Sequence, residues 1–255
     1  MPRRCSRRFA PCDPAAERTG GKLLSNDGIV IVTGASAGLG AALVRVFAGA
    51  GRTVVAAARS AERLADLAAG AEPGRVVPVA TDVSDPGQVA AMIDRATARG
   101  GRIDALINNA GIDKPGPIEE LEIADWDRII GVNLSGAFYA CKAVFPIMKR
   151  QGGGTIVNVS SVAGRRGAPG ATAYCASKFG MTGLTQALQA EGKAHDIRCS
   201  IVYPGGMDTG WTGEPRPDFL SPDDVARFVL TMVDQPDRFA VNEVVLGPVD
   251  EQFYP

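Results

Sequence analysis

From Gly28 to Gly247 the chain alternates two hydrophobic patterns. Short, continuous apolar runs read as strands: GIVIVTG from residue 28, then RTVVAAAR, RVVPVATD, IDALINNAG, GTIVNVSS, IRCSIVYPG and NEVVLG. Between them lie longer runs whose apolar residues recur every three or four positions, which is the helical period. Ser60, Ser84 and Ser221 stand where helix N-caps are expected, with Asp85 behind Ser84 and Pro222 behind Ser221. One helical run is long, from about Ala124 to Arg150. Strands that are apolar on both faces and separated by helices predict a parallel sheet covered on both sides. With right-handed crossovers the result is a doubly wound, seven-stranded Rossmann-type α/β domain. Ligands on such sheets bind beyond the C-terminal strand ends.

Composition narrows the picture. The chain has 255 residues, which suits one domain, and 45% hydrophobic residues, enough for a sizeable core. We expect residues 26–255 to form that domain. Residues 1–25 are rich in Arg and Pro without periodicity, and a disordered tail is expected there. Lys plus Arg number 27 and Asp plus Glu 28, a net charge of -1, so no global basic field attracts nucleic acid. No uninterrupted apolar run reaches the roughly 18 residues that span a bilayer, and no membrane association is expected. The five cysteines show no CxxC spacing, and His195 is the lone histidine. That argues for reduced thiols in a cytoplasm and against a metal site. His195 reads as a surface residue at a helix end.

The chemistry concentrates at the strand ends. TGASAGLG, Thr33 to Gly40, joins the first strand to its helix. Its glycines allow a tight turn, and the helix N-terminus offers N–H groups to a diphosphate. Gly34, Ser36, Gly38, Leu39 and Gly40 are the expected contacts. At the end of the second strand an acid would hold the ribose 2′-hydroxyl of NAD, and an arginine would accommodate the 2′-phosphate of NADP. The chain has Ala58 and Arg59 there, so NADP(H) is favoured and NAD(H) remains admissible. Asp82 and Val83 after the third strand, and Asn109, Ala110 and Gly111 after the fourth, are expected beside the adenine and ribose. Asp82 and Asn109 could equally be turn or capping residues. Tyr174 and Lys178 lie four apart in a helical run and so share one face. A lysine cation beside a phenol would favour the phenolate and pull its pKa down.

In this order and spacing, Thr33-Gly34-x-x-x-Gly38-x-Gly40, Asn108-Asn109-Ala110-Gly111, Asn133, Ser161, Tyr174-x-x-x-Lys178 and Pro204 to Thr209 resemble the short-chain dehydrogenase/reductase family, over about residues 28 to 248. The resemblance implies an oxidoreductase that moves a hydride between a nicotinamide and a carbonyl or secondary alcohol. It implies Tyr174 as general acid/base and Lys178 as the group that tunes Tyr174 and holds the nicotinamide ribose. Ser161, thirteen residues before Tyr174, would polarise the carbonyl, and Asn133 would anchor a water beside Lys178. Pro204, Gly205 and Thr209 would bind the carboxamide and diphosphate. The long helix and the Tyr174 helix would form a homodimer or homotetramer, with Phe179, Met181 and Leu184 at the contact.

Two features depart from the family pattern. Many NADP-using relatives carry a basic residue where this chain has Ala37, which leaves Arg59 with most of the 2′-phosphate recognition. The segment GWTGEPRPDFL, from Gly210, is too short and too rich in Pro and Gly for a long helical lid. Trp211 and Phe219 are expected beside an open substrate pocket. The C-terminal part looks like the branch that reduces hydroxy-acid, acyl or other small carbonyl substrates. A methyltransferase would want an acid after the second strand and has no use for Tyr174-x-x-x-Lys178. The alternative that stays open is a non-catalytic dinucleotide-binding regulator on the same fold.

Overall fold

The computed structural model describes residues 28–210, 216–236 and 238–251. The expectations for the tail at 1–25 and for Trp211 lie outside the described residues. Seven parallel strands form one sheet: β1 (Ile29–Thr33), β2 (Thr53–Ala58), β3 (Val76–Ala80), β4 (Ile103–Asn108), β5 (Gly154–Val159), β6 (Ile197–Pro204) and β7 (Glu243–Leu246). Their order is β3-β2-β1-β4-β5-β6-β7. The chain therefore winds outward from β1 one way, then returns to the centre and winds the other way. The connections leaving the C-terminal ends of β1 and β4 run in opposite directions, and that is where a doubly wound sheet opens a crevice.

Alternate residues of the central strands feed two separate cores. Val30 and Val32 of β1 pack with α1 (Gly38–Gly49) and α7 (Pro222–Val233) on one face. Ile29 and Ile31 face the other way, onto α3 (Pro86–Thr97) and α5 (Gly136–Arg150). Both faces of β1, β4 and β5 are fully buried, which is why these strands are mostly apolar, with Asp104, Asn108, Thr155 and Asn158 among the buried polar exceptions. Pro78 interrupts β3 without harm because β3 is an edge strand and pairs only with β2. At the sheet centre a buried amide chain crosses the core. Asn108 Nδ2 donates to Asn158 Oδ1 at 2.8 Å, and Asn158 Nδ2 donates to Thr185 Oγ1 at 2.8 Å. These bonds tie β4 and β5 to α6 (Thr172–Gly192).

Local signals held in most places and failed in two. Ser60 caps α2 (Ala61–Ala69) by accepting the Arg63 N–H. For α3 the cap is Asp85 and not Ser84: the Asp85 carboxylate accepts the Gly87 and Gln88 N–H groups. Ser84 instead donates to Asp82. The long helical run is not a single α-helix. It divides into α4 (Ile123–Ile130), a π-helical segment over Gly131–Ser135, and α5. Taken together, Ile123–Arg150 is long and apolar enough to cross a membrane by length and composition. Here its buried side chains, among them Ala140, Val144 and Met148, pack on the sheet. His195 lies in a short turn against the edge of the Phe145 ring, away from the strand-end crevice.

Candidate active site

The crevice at the C-terminal strand ends is a cleft of about 620 Å³. Its floor begins at the β1–α1 turn. Gly34 and Gly38 adopt φ of 66° and 49°, a region that costs other residues energy. A Cβ on Gly40 would stand 2.0 Å from the Gly34 carbonyl oxygen, so only glycine lets the first turn of α1 close against the loop. Ala37 at the N-cap offers no capping side chain, and the first turn of α1 holds no acid. Its N–H groups thus face the cleft without an internal partner. A diphosphate fits such a cradle. Thr209 lies directly over it, since a Cβ on Gly38 would be 3.0 Å from the Thr209 Cβ.

Two further turns complete this end. Asn109 is committed to the scaffold: its amide donates to the Thr33 and Gly34 carbonyls at 3.0 and 3.3 Å. Its backbone N–H and that of Ala110 both reach the Thr33 hydroxyl. Asn109 therefore fixes the glycine loop against the end of β4, while Ala110 and Gly111 present backbone to the cleft. The Asp82 carboxylate accepts from both the N–H and the hydroxyl of Ser84, and these bonds hold its pKa below the usual range. Val83 lines the cleft beside it. At the far end Arg59, Ser60 and Arg63 line the wall, and among the described lining residues no acid ends β2. Arg63 was not singled out in the sequence, although its place one helical turn after Arg59 could have revealed it.

The reactive end lies under α6. Tyr174 and Lys178 project from one face of it, and the Lys178 ammonium sits 5.5 Å from the centre of the Tyr174 ring. Lys178 is 3% exposed and donates to the Val159 carbonyl at 2.9 Å. Burial pulls its pKa down to about 8. Ser161 stands close enough to Tyr174 to favour its phenolate, yet loss of hydration outweighs that influence and pushes the phenol up to about 12. The expected lowering of the Tyr174 pKa by Lys178 is therefore not what the geometry gives. The ammonium lies over the ring face, is itself desolvated and is occupied by Val159. Ser161 and Ser160 part company here: Ser160 is buried and donates to the Lys178 carbonyl at 3.2 Å, whereas the Ser161 hydroxyl accepts the Ala163 N–H at 3.1 Å and lines the cleft with Tyr174.

Asn133 sits in the π-helical segment. The wider turn lets its side chain clamp the Ile112 backbone, accepting the N–H at 2.8 Å and donating to the carbonyl at 2.9 Å. Its Nδ2 also donates to Ser177 of α6 at 3.0 Å. A Cβ on Gly111 would stand 3.6 Å from Lys178 Nζ and 3.7 Å from Asn133 Oδ1, so both atoms look onto the same bare Cα. Across the cleft, Pro204 ends β6 and Gly205 follows it. Gly206 donates its N–H to the Glu251 carboxylate, which fixes this turn from behind. Phe219 lines the cleft under the Arg216 guanidinium, 3.9 Å from its ring centre. Among the described residues no His, Cys, Asp and Glu cluster could hold a metal ion.

A nucleotide cradle thus runs into a buried tyrosine, serine, lysine and asparagine set. The family model described as short chain dehydrogenase matches residues 28–218. The chain belongs to the short-chain dehydrogenase family. It is 36% identical over 232 residues to a 3-oxoacyl-(acyl-carrier-protein) reductase of Thermotoga maritima, covering 85% of this chain and 94% of the relative. Identity to a D-threitol dehydrogenase of Mycolicibacterium smegmatis is 40% over 199 residues, covering 75% of this chain and 76% of the relative. A metagenomic short-chain oxidoreductase solved with NADP superposes with a TM-score of 0.78 at 34% identity, covering 90% of this chain and all of that one. This short-chain dehydrogenase is an NAD(P)-dependent oxidoreductase acting on CH–OH and C=O groups.

Proposed function

We propose that the protein is an NADP(H)-dependent carbonyl reductase and alcohol dehydrogenase in which Tyr174 is the general acid and base. The bound nicotinamide supplies the hydride. The protein supplies everything else. Gly34, Ser36, Gly38, Leu39 and Gly40 receive the diphosphate, and Thr209 covers it. Lys178, Ala110 and Gly111 hold the nicotinamide ribose, with Pro204 and Gly205 at the carboxamide. Ser161 donates to the substrate oxygen, and Tyr174 delivers the proton to it in reduction. A phenol near pKa 12 is protonated at neutral pH, which is the form reduction requires. The observation that carries this reading is the meeting of Ser161, Tyr174 and the buried Lys178 in one cleft, at the end of a cradle whose N–H groups have no capping partner.

The NADP preference rests on Arg59 and Arg63, two exposed cations at the adenosine end of the cleft. One charge-assisted contact to a phosphate is worth about 1.5 to 3 kcal/mol, or roughly tenfold and upward in affinity. Arg59→Ala is expected to lower kcat/KM with NADPH by roughly tenfold and to leave NADH nearly unchanged. Arg63 retains part of the preference. The measurement is the ratio of the two specificity constants across a panel of ketones and aldehydes, followed by absorbance of the reduced nicotinamide. An unchanged ratio refutes the assignment, and equal loss with both cofactors makes Arg59 structural. No reduction of any carbonyl with either cofactor refutes the activity.

We further propose a homodimer or homotetramer built on Ile123–Arg150 and α6. Phe138 and Phe179 are 42% and 46% exposed on these helices, more than an isolated subunit needs. Met181 is not part of that face: it is fully buried against Ile201 and Tyr203 within its own subunit. Light scattering at micromolar concentration is expected to give a mass of at least twice 26.5 kDa, and a clean monomer refutes the interface. A cytoplasmic location fits Cys141, Cys175 and Cys199, all buried as free thiols.

A further inference from the structure

The substrate end of the cleft carries one acid that the chemistry above does not use. Asp113 lines the cleft two residues beyond Gly111 and is half-buried. Its segment is held rigidly, because Asn133 clamps both backbone polar groups of the adjoining Ile112. Among the described residues the Asp113 carboxylate receives one hydrogen bond, from the Lys114 N–H at 2.8 Å, and no ion pair. The neighbouring cation is turned away: the Lys114 ammonium pairs with Asp125, which also accepts from Arg128 at 2.8 Å. The other charged lining residues are Arg59, Arg63 and Asp82, at the adenosine end, and Lys178, which is bound to Val159. Asp113 is close enough to the reacting centre for its charge to act on the Tyr174 phenol.

A fixed carboxylate with a free oxygen, partly removed from water, gains from a hydrogen-bond donor and repels an anion. We propose that Asp113 is a specificity-determining residue that selects substrates carrying a donor, a hydroxyl or an ammonium, on the carbon next to the reacting carbonyl. It excludes substrates with a carboxylate at that position. This inference rests on the carbonyl reductase reading. It goes beyond it by assigning the substrate class to one side chain. The cost of leaving such a carboxylate facing a methyl group is that of an unsatisfied, partly buried polar group, which is how sites built to bind a hydroxyl reject analogues lacking it.

The test uses four small carbonyl compounds matched around the reacting centre: hydroxyacetone, aminoacetone, butanone and pyruvate. Each is assayed with NADPH in the wild type, Asp113→Asn and Asp113→Ala. The readout is the ratio of kcat/KM to that of butanone within each protein, so loss of active enzyme cancels. Wild type is expected to favour hydroxyacetone or aminoacetone over butanone by about tenfold or more, and to use pyruvate worst. Asp113→Ala brings the ratios toward one. Asp113→Asn keeps part of the hydroxyl preference, since an amide oxygen still accepts, but loses the ammonium preference and relaxes the exclusion of pyruvate. Which of the two donors responds names the substrate class. Absence of any preference in the wild type, or ratios that do not move in either variant, overturns the role of Asp113 and leaves the reductase reading standing. Failure of the wild type to reduce all four, together with the wider ketone and aldehyde panel, overturns both.

Discussion

Tyr174→Phe lowers turnover by about a hundredfold to ten-thousandfold, the range a positioned general acid contributes. The ring stays, so the wall of the cleft and the packing of α6 stay with it, and only the phenolic hydroxyl is lost. Cofactor affinity is expected to change little, because the cradle at Gly34 to Gly40 is untouched. Single-turnover reduction separates the two, with a fluorescence titration of NADPH beside it. A variant that keeps most of its activity would show that the proton comes from elsewhere. The profile in pH carries a direction as well. Burial holds the phenol up near 12, so the free protein keeps it protonated at neutral pH and is poised for reduction. Alcohol oxidation needs the phenolate and is expected to climb with pH.

The second large effect joins catalysis to stability with opposite signs. Lys178→Met should abolish most activity and yet raise the melting temperature at pH 7. A lysine whose pKa falls from 10.5 to about 8 on folding is charged at a cost. That cost is fully present below pH 8. It vanishes as pH rises toward 10.5, because over that window the unfolded chain binds the extra proton. The shift corresponds to about 3 kcal/mol, and the unpaired Val159 carbonyl returns about 1 to 3 kcal/mol of it. The net is a gain of about 1 kcal/mol, or roughly 2 to 4 °C for a chain of this size. Thermal unfolding at pH 7 and pH 10 measures it, and the difference between variant and wild type should shrink at the higher pH. A variant less stable than wild type at pH 7 would mean that the ammonium is a structural support.

Most of the architecture was legible because strands buried on both faces are dominated by apolar residues, so that a few buried polar ones such as Asp104 and Asn158 do not hide them. β1, β4 and β5 are the plainest cases. Gly34, Gly38 and Gly40 were legible for a different reason: backbone geometry there excludes other residue types. What sequence could not show was partnership. Asn109 reads as a cofactor ligand, but its amide is spent on the Thr33 and Gly34 carbonyls. Met181 and Phe179 look alike in sequence, yet one faces the sheet and the other faces out. Spacing put Lys178 beside Tyr174 without revealing that the ammonium would be desolvated and turned to Val159. Asp113 attracts no notice until the diversion of Lys114 to Asp125 is seen. A π-helical turn leaves no trace in hydrophobic period, since Gly131–Ser135 differs from its surroundings by one residue in winding.

That extra residue makes the helix a measured length as well as a surface. Asn133 meets Ile112 only because the chain between Ile130 and Gly136 is wound wider than α. Deleting one residue there would let regular α winding resume with α4 and α5 still in phase, because the π turn holds its extra residue within about the same rotation. The sheet-facing stripe of α5 would keep its place, but the segment carrying Asp113 would lose its clamp, because Asn133 reaches Ile112 from the wider turn. Substitutions in this stretch are matters of degree, but insertions and deletions are not. Across homologous chains, this is where the count of residues should be kept even as their identities drift.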